Sequence, residues 1–212
     1  MFEPFFAHIV PKHPKMCINP QKSTCRKGVC VVQYREKIQR EVAMRNMMMP
    51  DYMFRTYAEI TPAFLQNLGV RAVLSDVDNT LAPYEQPQPD DALREWIASL
   101  AEAGIQIAFI SNNDRERIEL FNQTLGVPAY WKSGKPFKKT LLKAMADMGV
   151  DASCTIMLGD QLLTDAWAGH AAGMDAIIVP PIKDKLNLFF RFKRWLEKST
   201  VKKFKKKHGI EW

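Results

Sequence analysis

Two aspartates separated by a single residue, Asp76 and Asp78, directly follow a short apolar run over residues 71–75. Such a run is typical of a buried parallel strand that ends where the polar residues begin. Because side chains alternate along an extended chain, both carboxylates should face one site, where they repel each other unless a cation or a shared proton intervenes. The pair predicts a site for a hard divalent cation, usually magnesium. The alternative is that Asp78-Asn79-Thr80 is only a turn with a helix N-cap.

Three further polar elements follow later apolar runs. Ser111 comes after the second run, Lys135 lies in the loop after a short third run, and Asp160 and Asp165 follow the fourth. The carboxyl ends of parallel strands meet at one edge of a sheet, which is where α/β sheets bind ligands. Taken alone, Ser111 would be a helix cap and Lys135 a solvated loop residue. Their occurrence in this order predicts one common site.

Phosphoryl transfer through an aspartate needs this set of groups. A phosphate ester is an anion, so a metal held by Asp76, Asp160 and a backbone carbonyl would relieve its repulsion from an attacking carboxylate. Asp76 is then the nucleophile, and Asp78 protonates the departing alcohol and later takes a proton from water. Ser111 and nearby backbone N–H groups would bind phosphoryl oxygens, and Lys135 would neutralise negative charge.

These arguments assign three sets of site residues. The predicted catalytic residues are Asp76, Asp78, Ser111 and Lys135. The predicted substrate-binding residues are Thr80, Ser111, Asn112 and Lys135. The predicted metal ligands are Asp76, Asp78, Asp160 and Asp165, with Asp165 orienting either Lys135 or a metal-bound water.

The elements that must position these residues alternate regularly from Pro50 onward. Strands are predicted over 71–75, 105–110, 127–131, 155–158 and 175–179, and helices over 63–68, 91–103, 114–125, 138–148 and 163–172. This alternation predicts an α/β fold with a parallel, doubly wound sheet. The core face of the second helix is expected to consist of Leu93, Ile97, Leu100 and Ala101.

The polar elements resemble the four motifs of the haloacid dehalogenase (HAD) phosphatase superfamily. The matching phrases are Asp76-Val77-Asp78-Asn79-Thr80-Leu81, Ser111-Asn112-Asn113, Gly134-Lys135-Pro136, and Gly159-Asp160 with Asp165. Over residues 50–200 the chain also resembles the YqeG-type subgroup of subclass IIIA, through Ile60-Thr61-Pro62, the phrase over 159–165 and Ala172-Gly173-Met174. The resemblance implies a Rossmann-like three-layer fold and magnesium-dependent phosphomonoester hydrolysis. Relatives of the subgroup include the fungal mitochondrial phosphatidylglycerophosphatase, which favours a lipid phosphate substrate.

Other functions use parts of the same pattern. A cytosolic phosphatase for a soluble sugar or nucleotide phosphate would share every catalytic residue, whereas a phospho-acceptor signalling domain would lack the second aspartate. Intact motifs argue against a non-catalytic binding protein, and residues 133–135 lack the upstream glycine of a nucleotide-binding loop. Only 34 residues separate Asp76 from Ser111, so we expect no cap domain and an open site.

Charge divides the 212-residue chain unevenly. Its formal charge is +7, and residues 183–208 alone hold eleven Lys or Arg and two acids, which leaves the remainder slightly acidic. We expect an N-terminal extension over 1–49, a phosphatase domain over 50–182 and a basic C-terminal part over 183–212. The sequence contains no apolar stretch long enough to span a membrane and no recognisable signal peptide. A cytoplasmic protein is expected.

The C-terminal part has a basic amphipathic pattern. Its apolar residues are Leu186, Phe189, Phe190, Leu196 and Phe204, interleaved with Lys and Arg. One interpretation is a helix over 186–207 bound to an anionic membrane surface, which would hold the enzyme at the inner face of the membrane. Another is a last helix over 186–197 packed on the sheet, followed by a frayed Lys-rich end. RNA binding is disfavoured because no aromatic platform on the sheet is evident.

The N-terminal part has no clear periodicity. We expect a poorly ordered extension there, with a metal site at His13, Cys17, Cys25 and Cys30 as the alternative. Their spacing lacks the paired C-x-x-C pattern of zinc sites.

Overall fold

The computed structural model describes residues 47–183 and 188–210, with the side chains of the last helix described from residue 197 onward. The expectations for His13, Cys17, Cys25 and Cys30 therefore lie outside the described residues. The strands are β1 (Tyr52–Met53), β2 (Ala72–Ser75), β3 (Gln106–Ile110), β4 (Ala129–Tyr130), β5 (Thr155–Gly159) and β6 (Asp175–Ile178). The helices are α1 (Pro62–Asn67), α2 (Asp91–Glu102), α3 (Arg115–Asn122), α4 (Lys139–Met148), α5 (Trp167–Ala171) and α6 (Leu188–His208). A π-helical turn, Leu162–Ala166, leads into α5, and short 3-10 turns lie at Tyr57–Glu59 and Ala152–Cys154.

All six strands are parallel, in the order β1-β6-β5-β2-β3-β4. From β2 the chain builds outward through β3 to β4, then crosses back so that β5 pairs with the other side of β2. This reversal makes the carboxyl ends of β2 and β5 the topological switch point, where open α/β sheets bind their ligands. The predicted Rossmann-like fold with a parallel sheet is confirmed.

Alternate residues of the strands pack on opposite faces of the sheet. One face carries Val73, Ile107, Phe109, Ile156 and Ile177, covered by Leu65 of α1, Leu93 and Leu100 of α2, and Phe121 of α3. The opposite face carries Leu74, Ala108, Ile110 and Met157, covered by Leu141 and Met145 of α4 and Ala168 of α5. Strands buried on both faces explain the nearly continuous apolar runs of the sequence. The result is three layers, helix on sheet on helix.

Helix α2 shows how local signals set an element and where they mislead. The Asp90 side chain accepts a hydrogen bond from the N–H of Leu93 at 2.9 Å and so caps the helix. The prediction that Ala101 belongs to the core face is wrong, because Ala101 is exposed. Trp96 takes the place on the buried face instead, and its indole N–H donates to the carbonyl of Ile60 at 2.9 Å.

The edges of the sheet differ most from expectation. Strand β1 was not predicted, and it pairs Tyr52 with Ile177 and Met53 with Ile178. Two residues are too few to show a period. The third predicted strand shortens to the two residues of β4, and the helix predicted over 163–172 begins as the π-helical turn.

Helix α6 continues through the Lys-rich end, so the expectation of a frayed end is wrong for the residues that are described. Phe204 is 2% exposed and packs with Met53, Leu162 and Ile178. It is therefore not available to insert into a membrane. Lysines line the exposed side of this part of α6: Lys198, Lys202, Lys203, Lys206 and Lys207. None of the helices in the described part of the chain is both long and apolar enough to cross a membrane.

Candidate active site

The predicted site residues follow the carboxyl ends of the central strands. Asp76 continues from β2, and its backbone N–H donates to the carbonyl of Leu158 in β5 at 2.8 Å. Asp160 follows β5 directly, so the two aspartates lie side by side at the switch point. Ser111 follows β3, and its N–H donates to the carbonyl of Tyr130 at 2.9 Å. Backbone hydrogen bonds thus continue one residue beyond the strand ends and place these polar residues at one edge of the sheet.

Three buried carboxylates form a cluster at this edge. Carboxylate oxygens of Asp76, Asp160 and Asp165 lie within 4.8 Å of one another. Asp165 reaches the cluster because the π-helical turn folds back, and its Oδ2 accepts from the N–H of Gln161 at 3.0 Å. The preceding Gly159 is required for this close approach, because a Cβ placed there would lie 2.3 Å from the Cβ of Asp165. The Gly-Asp pair and the later aspartate therefore form one structural unit.

Lys135 supplies the positive charge next to the cluster. Its Nζ lies 2.7 Å from Oδ1 of Asp76 and 2.7 Å from Oδ1 of Asp165, and its side chain is almost completely buried. Burial alone would lower the pKa of Lys135, but the carboxylates of Asp165 and Asp76 outweigh it and raise the pKa. Lys135 is thus held as a cation.

Asp76 itself is in surroundings that disfavour its ionised form. Burial raises its pKa to about 6; Lys135 opposes this shift, and the charges of Asp165 and Asp78 add to it. One ammonium among three clustered carboxylates leaves negative charge uncompensated in a buried place. Oxygen-only donors with excess negative charge suit Mg²⁺, so these residues fit a hard divalent cation.

Asp78 is not a member of the carboxylate cluster. Its Oδ2 accepts a hydrogen bond from Nδ2 of Asn113 at 3.0 Å, and its Oδ1 accepts from Nη2 of Arg117 at 3.1 Å. Both oxygens of Asp78 are thus held by other side chains, and its assignment as a metal ligand stays a prediction. Its position is suited to a proton-transfer group held by two donors.

The predicted substrate-binding residues divide into two kinds. Thr80 donates from Oγ1 to Oδ2 of Asp76 at 3.3 Å, and so supports that carboxylate. Asn112 uses its side chain to hold the loop of Lys135: its Nδ2 donates to the carbonyl of Lys135 at 3.0 Å, and its Oδ1 accepts from the N–H of Lys135 at 2.9 Å. Ser111 is buried and its Oγ accepts from the N–H of Asn113 at 3.1 Å. Direct contacts of these residues with a substrate stay predictions.

These groups face an open cleft of about 260 Å³. Its walls include Asp76, Asp78, Ser111 and Lys135, together with Tyr84 from the loop after β2. Between β2 and β3 the chain has only this loop and α2, so the segment contains no cap domain. The expected open site is present.

The family follows from comparison with known proteins. A model of the haloacid dehalogenase-like hydrolases matches residues 37–173, which is more than half of the chain. The chain belongs to this family. The protein named "Probable phosphatase YqeG" of Bacillus subtilis (strain 168) is 32% identical to this HAD protein over 169 residues, which cover 80% of this chain and 98% of that protein. Both comparisons support the assignment of the enzyme as a HAD-type phosphatase.

Solved structures resemble this HAD phosphatase at lower identity. CbbY from Rhodobacter sphaeroides in complex with phosphate is 16% identical, with 57% of this chain and 90% of that chain covered and a TM-score of 0.43. The cobalt-bound deoxy-D-mannose-octulosonate 8-phosphate phosphatase YrbI from Haemophilus influenzae is 19% identical, with 65% and 92% covered and a TM-score of 0.41.

The structure of this HAD phosphatase thus brings Asp76, Lys135, Asp160 and Asp165 into one cluster, with Ser111 and Asp78 on the walls of the same cleft. The catalytic role of each stays a prediction. Arg117 was missed by the sequence analysis. Its signal was weak because it lies among Arg115, Glu116 and Glu119, as charged residues do on any solvated helix.

Proposed function

We propose that this HAD phosphatase hydrolyses phosphomonoesters through an aspartyl phosphate on Asp76, with Mg²⁺ as its cofactor. The observation that carries the proposal is the surroundings of Asp76. Its buried carboxylate lies at the open cleft, 2.7 Å from the Lys135 ammonium and next to the carboxylates of Asp160 and Asp165. A buried carboxylate with a fixed cation beside it suits attack on an anionic phosphate.

Asp76, Asp160 and Asp165 would hold the metal ion, which when bound offsets the negative charge of the carboxylates and the phosphate. The protein's own groups then account for each bond that changes. A carboxylate oxygen of Asp76 forms a bond to phosphorus while the bond from phosphorus to the alcohol oxygen breaks. The carboxyl group of Asp78 gives its proton to that departing oxygen.

The second half of the reaction returns the enzyme to its starting state. Water attacks the phosphorus of the aspartyl phosphate, and the bond between phosphorus and the Asp76 oxygen breaks. Asp78, now a carboxylate, accepts the proton of the attacking water, so inorganic phosphate leaves and both aspartates are restored. Throughout, the Lys135 ammonium and the Ser111 hydroxyl stabilise charge on the phosphoryl oxygens.

The first test is Asp76→Asn with Asp91→Asn as the matched control, because Asp91 has a fully exposed side chain on α2. We expect Asp76→Asn to lose phosphate release from p-nitrophenyl phosphate by on the order of 10³-fold or more, while the control keeps the parent rate. Acid-quenched parent enzyme should carry one phosphoryl group on the peptide that contains Asp76, as read by mass spectrometry. Full turnover by Asp76→Asn, or a phosphoryl group on another residue, would contradict the proposal.

For the substrate we propose a lipid phosphate such as phosphatidylglycerophosphate. The support is the resemblance to the YqeG-type subgroup together with the apolar side chains exposed on loops after the strand ends. Phe137 is 76% exposed beside Lys135, Tyr84 lines the cleft at 46%, and Ile182 is 46% exposed. Ile182 also lies next to the turn that follows Asp76 and Asp78, because its N–H donates to the carbonyl of Asn79 at 3.1 Å. Such a rim suits a phosphate presented at an interface.

Phe137→Ser tests this substrate class against Leu120→Ser. Both side chains are exposed, but Phe137 follows Lys135 by two residues in the loop, whereas Leu120 lies within α3. Burying a phenylalanine side chain contributes about 1.5–3 kcal/mol. We therefore expect Phe137→Ser to lower kcat/KM for phosphatidylglycerophosphate in vesicles by roughly 10-fold or more, with no change for soluble esters. A parent enzyme that prefers sugar or nucleotide phosphates to the lipid would contradict the lipid proposal and leave the phosphatase chemistry intact.

A further inference from the structure

Arg117 connects the proposed proton donor to the loop above the cleft. Its side chain extends from α3 and is 14% exposed. Nη2 donates to Oδ1 of Asp78 at 3.1 Å, and Nη1 lies 3.5 Å from the carbonyl oxygen of Pro87. The guanidinium carbon lies 6.0 Å from the centre of the Tyr84 ring and 5.1 Å from that of Phe121. One side chain thus contacts both the acid and the loop that carries Tyr84.

The carboxylate of Asp78 is held at both oxygens. Asn113, just before α3, donates to Oδ2, and Arg117, in the first turn of α3, donates to Oδ1. Two donors from the start of one helix define the plane of the carboxyl group as well as its position. Each carboxylate oxygen can accept more than one hydrogen bond, so both retain capacity on the side of the cleft.

The guanidinium is also buried at a cost in stability. Within the described part of the chain its Nε has no hydrogen-bond partner, although the atom is shielded from solvent. Native proteins leave few buried donors without a partner, and exceptions concentrate where function constrains a side chain. The buried placement of the guanidinium is therefore better explained by the groups that it positions than by a contribution to folding stability.

We propose that Arg117 is a positioning residue that holds Asp78 and the loop of Tyr84 in one arrangement, so that the acid faces the departing oxygen of the substrate. The inference rests on the proposed role of Asp78 as proton donor. Arg117 keeps its own protons throughout. Asp78 gives its proton to the alcohol oxygen in the first half of the reaction and takes one from the attacking water in the second half. The loss of kcat on replacing Arg117 should therefore be larger for a leaving group that needs a proton more.

The test compares two substrates, p-nitrophenyl phosphate, whose leaving group needs little protonation, and phenyl phosphate, whose leaving group needs more. Arg117→Met keeps the packing against Phe121 and removes the donors. We expect kcat for phenyl phosphate to fall roughly 10-fold to 100-fold, as for other residues that orient an active-site group, and kcat for p-nitrophenyl phosphate to fall clearly less. Equal loss on both substrates, or no loss, would overturn the inference.

Two arginines serve as matched controls. Arg94 donates from Nη2 to the carbonyl of Pro89 at 3.2 Å, so it holds the same loop without touching Asp78. Arg115 lies in α3, with an exposed side chain that pairs with Glu119. Relative to the parent, Arg94→Met and Arg115→Met should change kcat for the two substrates by the same factor, if they change it at all. If Arg94→Met reproduces the effect of Arg117→Met, the loop alone explains it and the proposed contact with Asp78 is not responsible.

A double variant separates this inference from the proposed function. Asp78→Asn should slow phenyl phosphate more than p-nitrophenyl phosphate, and Asp78→Asn with Arg117→Met should be no slower than Asp78→Asn alone. If Asp78→Asn is fully active, the proton-donor role itself fails; if only Arg117→Met lacks the leaving-group effect, the positioning role fails. Circular dichroism checks the fold, and Arg117→Lys replaces Arg117→Met if the latter does not fold. A lysine can reach Asp78 but has no second donor arm for Pro87. Relative to the parent, Arg117→Lys should therefore lower kcat for phenyl phosphate more than kcat for p-nitrophenyl phosphate, and an equal loss on both would overturn the inference.

Discussion

The carboxyl group of Asp76 shows at the scale of one residue why this site needs a cation. Burial raises its pKa to about 6, Lys135 opposes the shift, and Asp165 and Asp78 reinforce it. A carboxyl group with a raised pKa in the folded state binds protons that the unfolded chain releases. The metal-free protein should therefore lose stability as the pH rises from about 4 through about 6.

Replacing Asp76 by asparagine should remove this pH dependence. At pH 7.5, in the presence of a chelator, we expect Asp76→Asn to raise the free energy of unfolding by on the order of 2 kcal/mol. At pH 4, where Asp76 is protonated in the folded protein, the difference should be small. Urea unfolding of both proteins across this range is the measurement, with Asp91→Asn as the control. A variant that is less stable than the parent at pH 7.5 would contradict the electrostatic account.

The same residue predicts how metal binding depends on pH. Because a proton and the cation compete for the Asp76 carboxylate, the apparent affinity for Mg²⁺ should fall as the pH drops below about 6. Isothermal titration with Mg²⁺ from pH 5 to pH 8 would show this directly. An affinity that stays constant over the range, or one that Asp76→Asn leaves unchanged, would exclude Asp76 from the ligands.

Single residues were predictable from the sequence where a strand end determined their direction. Asp76, Ser111 and Asp160 follow buried strands at once, so alternation and topology place them at one edge of the sheet. Arg117 was not predictable, because its partner Asp78 lies 39 positions away in sequence and its neighbours on α3 are also charged. The hydrogen bonds between the Asn112 side chain and the backbone of Lys135 are likewise long-range contacts, and no local sequence pattern indicates them.

At the scale of elements, α6 supports the loop that carries the carboxylate cluster. Glu197 is buried, and its Oε1 accepts a hydrogen bond from the N–H of Leu163 at 3.0 Å, at the start of the π-helical turn. The first N–H groups of a helical turn have no partner within it. Glu197 therefore connects the last helix to the turn that positions Asp165.

Removing this contact should lower the affinity of the site for Mg²⁺, although Glu197 is not itself one of the clustered carboxylates. We expect Glu197→Ala to lower stability by about 1–3 kcal/mol, since a buried donor loses its acceptor, and to weaken Mg²⁺ binding because the turn of Asp165 loosens. Glu197→Gln keeps an acceptor oxygen and should stay close to the parent, and Ser199→Ala, on the exposed side of α6, is the control. Titration calorimetry and urea unfolding measure the two effects. Parent-like metal affinity in Glu197→Ala would show that α6 does not support the turn.

Elements with a strong period were predictable, and short or irregular ones were not. The central strands and α2 were found close to their observed bounds because burial imposes a regular apolar pattern on them. Strand β1 exists only through its pairing with β6, so its two residues carry no pattern of their own. The π-helical turn depends on the return of the Asp165 side chain to the N–H of Gln161, which helical periodicity cannot indicate.

For the molecule as a whole, the two sides of α6 differ in character. Its apolar side covers part of the core through Phe204, so deleting the helix would expose Met53, Leu162 and Ile178. Its exposed side presents a row of lysines. Truncation would therefore confuse loss of charge with loss of folding, and changes of charge alone are the cleaner way to ask whether this side binds a membrane.

Charge reversal at Lys198, Lys202 and Lys206 separates these effects. Each basic residue near an anionic leaflet contributes about 1 kcal/mol, so the triple Lys→Glu variant should bind vesicles containing phosphatidylglycerol at least about 100-fold more weakly than the parent. Arg55, Arg71 and Lys143 are exposed elsewhere on the surface, and their reversal to Glu gives a control of the same net charge. Hydrolysis of p-nitrophenyl phosphate should be unchanged in both variants, because none of these residues lines the cleft. If both triple variants lose vesicle binding equally, net charge rather than the lysine row of α6 holds the protein at the membrane; if neither loses it, that row has no part in membrane binding.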